Sequence, residues 1–115
     1  MHNETCIFCK IINGDIPSSK VYEDELVYAF RDIEPAAPEH ILIVPKEHIC
    51  CANKLEKEHE ALVGHIVLTA AKIANDLGFA EQGYRIINNC GEDAGQTVFH
   101  LHFHVLAGAK FKNLV

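Results

Sequence analysis

The sequence predicts an α+β fold: one mostly antiparallel sheet of five strands, with one long helix on a face and a short helix near the N-terminus. Three observations predict it. Apolar runs with β-branched or alternating character recur between residues 20 and 44 and again after residue 84. Residues 56–77 change to helical periodicity. Glycine and proline punctuate the ends of these runs. With 115 residues, the chain is expected to form a single domain over 1–115, near the commonest domain size.

Residues 6–13 form a short apolar stretch stopped by Gly14, Asp15 and Pro17, expected as a helical turn or two. Residues 20–23 and 26–31 are expected as strands around the acidic turn Asp24-Glu25. Residues 34–38 make a rigid loop, and Ile41, Leu42, Ile43 and Val44, closed by Pro45, read as a third strand. In the helical stretch, Leu62, Ile66, Ile73 and Leu77 mark one apolar face, and Gly78 stands as the C-terminal stop. Val63, Val67, Ala70 and Ala74 widen that stripe beyond what one sheet covers, so the second face is expected to pack on a partner subunit. Gly64 costs roughly 1 kcal/mol against alanine in a helix interior, which close approach of another backbone explains. Residues 84–88 and 101–107 complete the strands, joined by a polar, glycine-bearing loop over 89–97.

The composition, 49% hydrophobic and 23% charged, is that of a globular protein. No apolar run reaches the roughly 18–20 residues of a bilayer span, and the first residues lack the charged and apolar regions of a signal peptide. A cytoplasmic protein without membrane association is expected. A net charge of −6 gives no large basic surface, so binding to nucleic-acid backbones is not expected. A small phosphate ligand, held by a few local donors, stays open. Cys6, Cys9, Cys50, Cys51 and Cys90 are odd in number and scattered, which points to thiols or a metal site rather than a disulfide framework.

The densest chemistry lies in His100-Leu101-His102-Phe103-His104-Val105-Leu106. On a strand, side chains alternate, so the three imidazoles would share one face, spaced by roughly 6.6–6.8 Å, while the apolar residues anchor the other. Such a row can be a solvated edge, a tris-histidine metal site, or a nucleophile flanked by donors. A neutral imidazole is competent to attack phosphorus at cellular pH, and its neighbours can stabilise phosphoryl oxygens or protonate a leaving group. The preceding loop, with Asn89, Gly91, Gly95, Gln96 and Thr97, offers the materials of an anion-binding nest and favours phosphate.

The segment from Gly95 to Leu106 resembles the signature of the histidine-triad (HIT) family, three histidines alternating with apolar residues. Cys6-Ile7-Phe8-Cys9-Lys10-Ile11-Ile12, Phe30-Arg31-Asp32-Ile33, Ala37-Pro38-Glu39-His40 and Ile43-Val44-Pro45-Lys46-Glu47-His48 are similar to that family in order and spacing. The match is best with its nucleotide-binding branch, homodimeric purine-nucleoside phosphoramidases. The resemblance implies a HIT-like fold, a purine nucleotide substrate and a homodimer through the long helix. It makes His102 the nucleophile toward the α-phosphorus of a nucleoside 5′-phosphoramidate, its tautomer set by the backbone carbonyl of His100. It also implies that His104 meets the phosphate or leaving group, that Asn89, Gly95, Gln96 and Thr97 bind phosphate oxygens, and that Asp32 accepts the ribose hydroxyls. Ile7, Phe8, Ile11, Ile16, Phe30 and Ile33 correspond to the apolar base pocket, and His40 to an upstream histidine near the active site. Two other functions stay open: dinucleoside polyphosphate hydrolysis, and a nucleotide-binding regulatory module with weak turnover.

Cys6-x-x-Cys9 by itself supplies two ligands with a fixed bite. Redox pairs share that spacing, but they normally follow a strand of a thioredoxin-like unit, which residues 1–5 do not supply. In bacterial relatives a Cys₂His₂ set is completed by histidines matching His48 and His100, so the resemblance implies structural zinc on Cys6, Cys9, His48 and His100. His100 would then be a metal ligand and not a catalytic ring. No role is assigned to Cys50, Cys51 and Cys90, nor to His59 and His65.

Overall fold

The computed structural model describes residues 5–112. Helix α1 (Ile7–Asn13) is followed by β1 (Lys20–Glu23), β2 (Val27–Arg31) and β3 (Glu39–Pro45); then come α2 (Glu60–Leu77), β4 (Tyr84–Ile87) and β5 (Phe103–Ala107). The strands lie side by side in the order β1-β2-β3-β5-β4, every neighbouring pair antiparallel. The expected five strands and two helices are therefore present. The long helix begins four residues later than its sequence pattern suggests, behind a 3₁₀ turn over Lys57–His59.

The central strand β3 explains why its sequence is apolar without interruption. Ile41 and Ile43 point to one face of the sheet and pack with Val27, Ala29, Val105 and, from α2, Ile66, Ala70, Ile73 and Ala74. Leu42 and Val44 point to the other face, where α1 brings Phe8 and Ile11 against Tyr28 and Phe30. A strand covered on both faces has no solvent side to keep polar. His40 shares the α1 face with Leu42, and it faces Leu106 across the β3–β5 ladder. Most of α2's burial is thus in the core, including Ala70 and Ala74, which the sequence had placed on the second face. Val67 and Leu68 stay 45% and 70% exposed, and an added Cβ on Gly64 would meet nothing within 4 Å.

Asp24 ties the sheet to α2. Its Oδ1 accepts the backbone N–H groups of Leu26 and Val27 at 2.8 and 2.9 Å, and its Oδ2 accepts Tyr22 Oη–H at 2.8 Å and meets His65 Nε2 at 2.6 Å. Burial alone would raise the carboxyl's pKa; these donors outweigh it and hold the group well below the usual carboxylate range. Gly78 closes α2 with φ of 87°, a left-handed conformation that glycine takes at no steric cost. Among the described residues, no helix is long and apolar enough to cross a membrane.

Candidate active site

The histidine run is not wholly a strand. β5 starts at Phe103, so of the three histidines only His104 lies in the sheet, opposite Leu42 and Ile87. His100 and His102 precede it in irregular chain. The departure has a physical cause. Leu101 N–H donates to Ile49 O at 2.6 Å, and His100 Nε2–H donates to Pro45 O at 2.8 Å, both partners lying at or beyond the end of β3. These bonds, with the ligand cluster below, draw residues 100 and 101 out of ladder geometry. His102 and His104 nevertheless end on the α1 side of the sheet, their rings 5.1 Å apart, and the His102 ring meets Phe8 edge-on at 5.1 Å.

The hydrogen bonds assign the tautomers. His102 Nδ1–H donates to the carbonyl of His100 at 2.7 Å, leaving the lone pair on Nε2. Ala36 N–H donates to His40 Nδ1 at 2.9 Å, so His40 carries its proton on Nε2. That Nε2–H donates to His104 Nδ1 at 2.9 Å, which puts the proton of His104 on Nε2. One ring thus presents a lone pair and its neighbour presents a donor. Asn88 Nδ2–H holds the carbonyl of His102 at 2.9 Å; sequence reading missed this residue, since a polar side chain at a strand end carries no distinguishing signal.

Burial keeps these rings uncharged. It pushes His104 down to about 4, helped by the His102 and His40 rings and opposed by Asp32. It lowers His102 against the His100 carbonyl and Asp32, and lowers His40 against Asp32, whose Oδ2 lies 3.5 Å from His40 Nε2. A neutral imidazole with a free lone pair is the nucleophilic form.

His102 and His104 open into a cavity of about 400 Å³. Of the residues expected to hold a base, Ile7, Phe8, Ile11, Ile16, Phe30 and Ile33 all line it, with Leu42, Val98 and Thr97. Ile33 is 94% exposed, so it is a rim residue and not core. Asp32 also lines the cavity, its Oδ1 accepting Glu34 N–H at 2.8 Å. Asn89 is half-buried in the loop and does not line this cavity.

Gln96 departs from expectation. It is buried at 4% exposure, its Oε1 accepts Gly91 N–H at 2.8 Å, and its Nε2 donates to Cys50 O and Val98 O at 2.9 and 3.1 Å. Its backbone N–H and that of Gly95 are also spent inside the loop, on Gly91 O and Glu92 O. Gln96 is therefore a brace that shapes the loop, and Gly95 its left-handed corner with φ of 90°. Neither has a group free for phosphate, whereas Thr97 is exposed at the cavity.

Behind the histidines, Cys6, Cys9, His48 and His100 place four ligand atoms within 4.8 Å of one another. Cys6 Sγ lies 3.3 Å from His100 Nδ1, Cys9 Sγ 3.3 and 3.5 Å from Nδ1 of His48 and His100, and the two Nδ1 atoms 3.2 Å apart. A tetrahedral zinc with bonds of about 2.3 Å to sulfur and 2.0–2.1 Å to nitrogen spaces its ligands at about 3.5 Å for S···N and 3.3 Å for N···N. The donor set fits such an ion. His100 Nε2–H, held by Pro45 O, turns Nδ1 toward the cluster, the second contact that metal-binding histidines require.

The chain is similar to known proteins over most of its length. The HIT domain model matches residues 13–111. A purine nucleoside phosphoramidase of Escherichia coli is 51% identical over 105 residues, 91% of this chain and 88% of that protein. A histidine triad protein from Clostridium difficile superposes with a TM-score of 0.96 at 51% identity, each chain covered 100%. A histidine triad nucleotide-binding protein from Candida albicans superposes at 0.79 with 33% identity, covering 96% of this chain and 85% of that one. The chain belongs to the HIT domain family.

Proposed function

We propose that this protein hydrolyses purine nucleoside 5′-phosphoramidates through a nucleotidyl-histidine on His102. The observation that carries the reading is the 2.7 Å bond from His102 Nδ1–H to the His100 carbonyl, which leaves Nε2 as a lone pair on the wall of an apolar cavity with a carboxylate at its rim. The 51% identity to a purine nucleoside phosphoramidase supports the substrate class.

In this reading the purine lies among Phe8, Ile11, Phe30 and Ile33, and Asp32 accepts the ribose hydroxyls with its two oxygens. Thr97 meets the phosphate, on a loop braced by Gln96. His102 Nε2 attacks the α-phosphorus while His104 Nε2–H donates to a phosphoryl oxygen or to the departing group. The P–N bond breaks with its electron pair going to the amine, which takes a proton from solvent. Water then attacks the phosphorus and loses a proton to solvent; the electron pair returns to His102 Nε2, and the nucleoside 5′-monophosphate is released.

Structural zinc on Cys6, Cys9, His48 and His100 belongs to the same proposal. Fully ligated by protein, it would hold α1 to the residues after β3 and to His100 without an open position for Lewis-acid chemistry. A homodimer through α2 is supported by the exposed Val67 and Leu68 beside the unobstructed Gly64. A cytoplasmic location is supported by five cysteines of which none forms a disulfide.

The test is turnover of adenosine 5′-phosphoramidate and of a diadenosine polyphosphate by the pure protein beside His102→Ala. The proposal expects release of AMP from the phosphoramidate and loss of turnover in the variant. Preference for the dinucleotide, or AMP binding without turnover of either compound, would overturn the substrate assignment. Turnover that survives His102→Ala would overturn the nucleophile.

A further inference from the structure

The nucleotide cavity contains a polar pair that no step of the proposed reaction uses. Ser18 lines the cavity beside Ile16 and Pro17, and its Oγ lies 2.8 Å from Tyr28 Oη. Tyr28 is buried in the α1 side of the core with Phe8, Ile11 and Phe30, its ring 5.9 Å from that of Phe30. The tyrosine hydroxyl therefore reaches Ser18 from a fixed ring, in a stretch of wall that is otherwise apolar.

The sheet register places the pair at the end of the cavity away from the histidines. His104 on β5 faces Leu42 on β3, and Leu42 faces Phe30 on β2. Phe30 in turn faces Lys20, the first residue of β1, and Ser18 precedes it by two. With neighbouring strands about 4.7–4.9 Å apart, the segment carrying Ser18 lies roughly 14 Å across the sheet from His104. A nucleotide whose phosphate meets His102 and His104, and whose ribose meets Asp32, points its base along this row. N9 of a purine carries the ribose, so the edge turned toward Ser18 is the six-membered ring with its C6 substituent.

The direction of the Ser18–Tyr28 bond is not fixed, because both partners are hydroxyls and either can donate. When Tyr28 Oη–H donates to Ser18 Oγ, the proton of Ser18 is available to an acceptor in the cavity. When Ser18 Oγ–H donates to Tyr28 Oη, the lone pairs of Ser18 are available to a donor. Turning one hydroxyl inverts the polarity shown to the base, and Ser18 keeps a partner in both states. A backbone N–H or carbonyl at the same place would have one polarity only, and would reject the base that lacks the matching group.

We propose that Ser18, held by Tyr28, reads the C6 substituent of the purine and accepts both kinds. The amino group of a 6-aminopurine donates to Ser18 Oγ, and the carbonyl of a 6-oxopurine accepts from Ser18 Oγ–H. The inference rests on the nucleotide site proposed above and gives that site its base specificity: purine nucleotides of both classes, through one hydroxyl.

The experiment measures the Kd of AMP, of IMP and of purine riboside 5′-monophosphate, which has no C6 substituent, by calorimetry. The proteins are the wild type, Ser18→Ala, Ser18→Thr and Tyr28→Phe. In the wild type AMP and IMP should bind within about tenfold of each other. In Ser18→Ala both should weaken by about 2- to 13-fold, while the unsubstituted nucleotide changes by less than about twofold. Ser18→Thr keeps the hydroxyl and should bind both more tightly than Ser18→Ala. Tyr28→Phe keeps the ring and removes the partner, and should weaken AMP and IMP in the same sense. Unchanged affinities in Ser18→Ala, an equal loss for all three nucleotides, or a loss confined to AMP or to IMP would each overturn the proposal. Wild-type protein that binds none of the three would instead overturn the nucleotide-site reading.

Discussion

His40 touches no reacting atom, yet its replacement should slow turnover by an amount that the hydrogen-bond chain sets. Ala36 N–H, His40 and His104 are linked by two bonds of 2.9 Å, and together they fix the Nε2–H tautomer of His104. In His40→Ala the Nδ1 of His104 loses its donor, and the ring is free to place its proton on either nitrogen. The wrong tautomer turns a lone pair toward the phosphoryl group. One net hydrogen bond is worth about 0.5–1.5 kcal/mol, which corresponds to roughly a 2- to 13-fold loss in kcat/KM at 25 °C. A group that itself transferred a proton in the transition state would cost about 10²- to 10⁴-fold. His40→Gln, whose amide can still donate to His104 Nδ1, should lose less than His40→Ala. The assay is steady-state hydrolysis of adenosine 5′-phosphoramidate, with ¹⁵N shifts of the His104 ring to read its tautomer. Unchanged kinetics with an unchanged tautomer would refute the chain, and a loss beyond about 100-fold would refute a purely positioning role.

Three further outcomes are expected. Burial pushes His104 down to about 4 in the folded protein against an ordinary 6.5, so the unfolded chain binds more protons between these values, and stability falls as pH drops from about 6.5 to 4. This ring steepens the loss by up to about 1.4 kcal/mol per pH unit; a melting temperature flat from pH 7 to 5 would contradict the burial argument. Replacing Cys6 and Cys9 together by serine should lower the melting temperature more than it lowers activity per folded molecule, and less than about half an equivalent of zinc in gently purified protein would contradict the metal assignment. Gly108 has φ of 91°, and an added Cβ would come 2.8 Å from Pro38 Cβ; Gly108→Ala should therefore cost about 1–3 kcal/mol, read as a fall of roughly 5–15 °C in thermal melting.

The order of helices and strands was legible because local signals do not depend on what lies across the sheet. Ile41 to Val44 is β-branched and apolar, and Gly14 and Gly78 sit where helices need a left-handed residue. The start of the last strand was not legible. Alternation from His100 to His104 is what a strand would show, but a pattern does not reveal that Pro45 O and Ile49 O compete for residues 100 and 101. Gln96 is a similar case. Its type suits phosphate contact, and its actual partners lie 46 residues away at Cys50 and within its own loop.

By itself the sequence determined the fold class, the family and the group of side chains that lie together around His102. These follow from residue type and spacing, which the chain carries locally. Only the tertiary structure decided which nitrogen of His40 and of His104 bears the proton, because that depends on Ala36 N–H and the bond between the two rings. It likewise decided that the segments carrying Cys50 and Cys90 lie side by side, joined by Gln96 between Gly91 N–H and the Cys50 carbonyl. Those contacts are made when β5 enters the sheet between β3 and β4, bringing together segments about forty residues apart that nothing in their spacing connects.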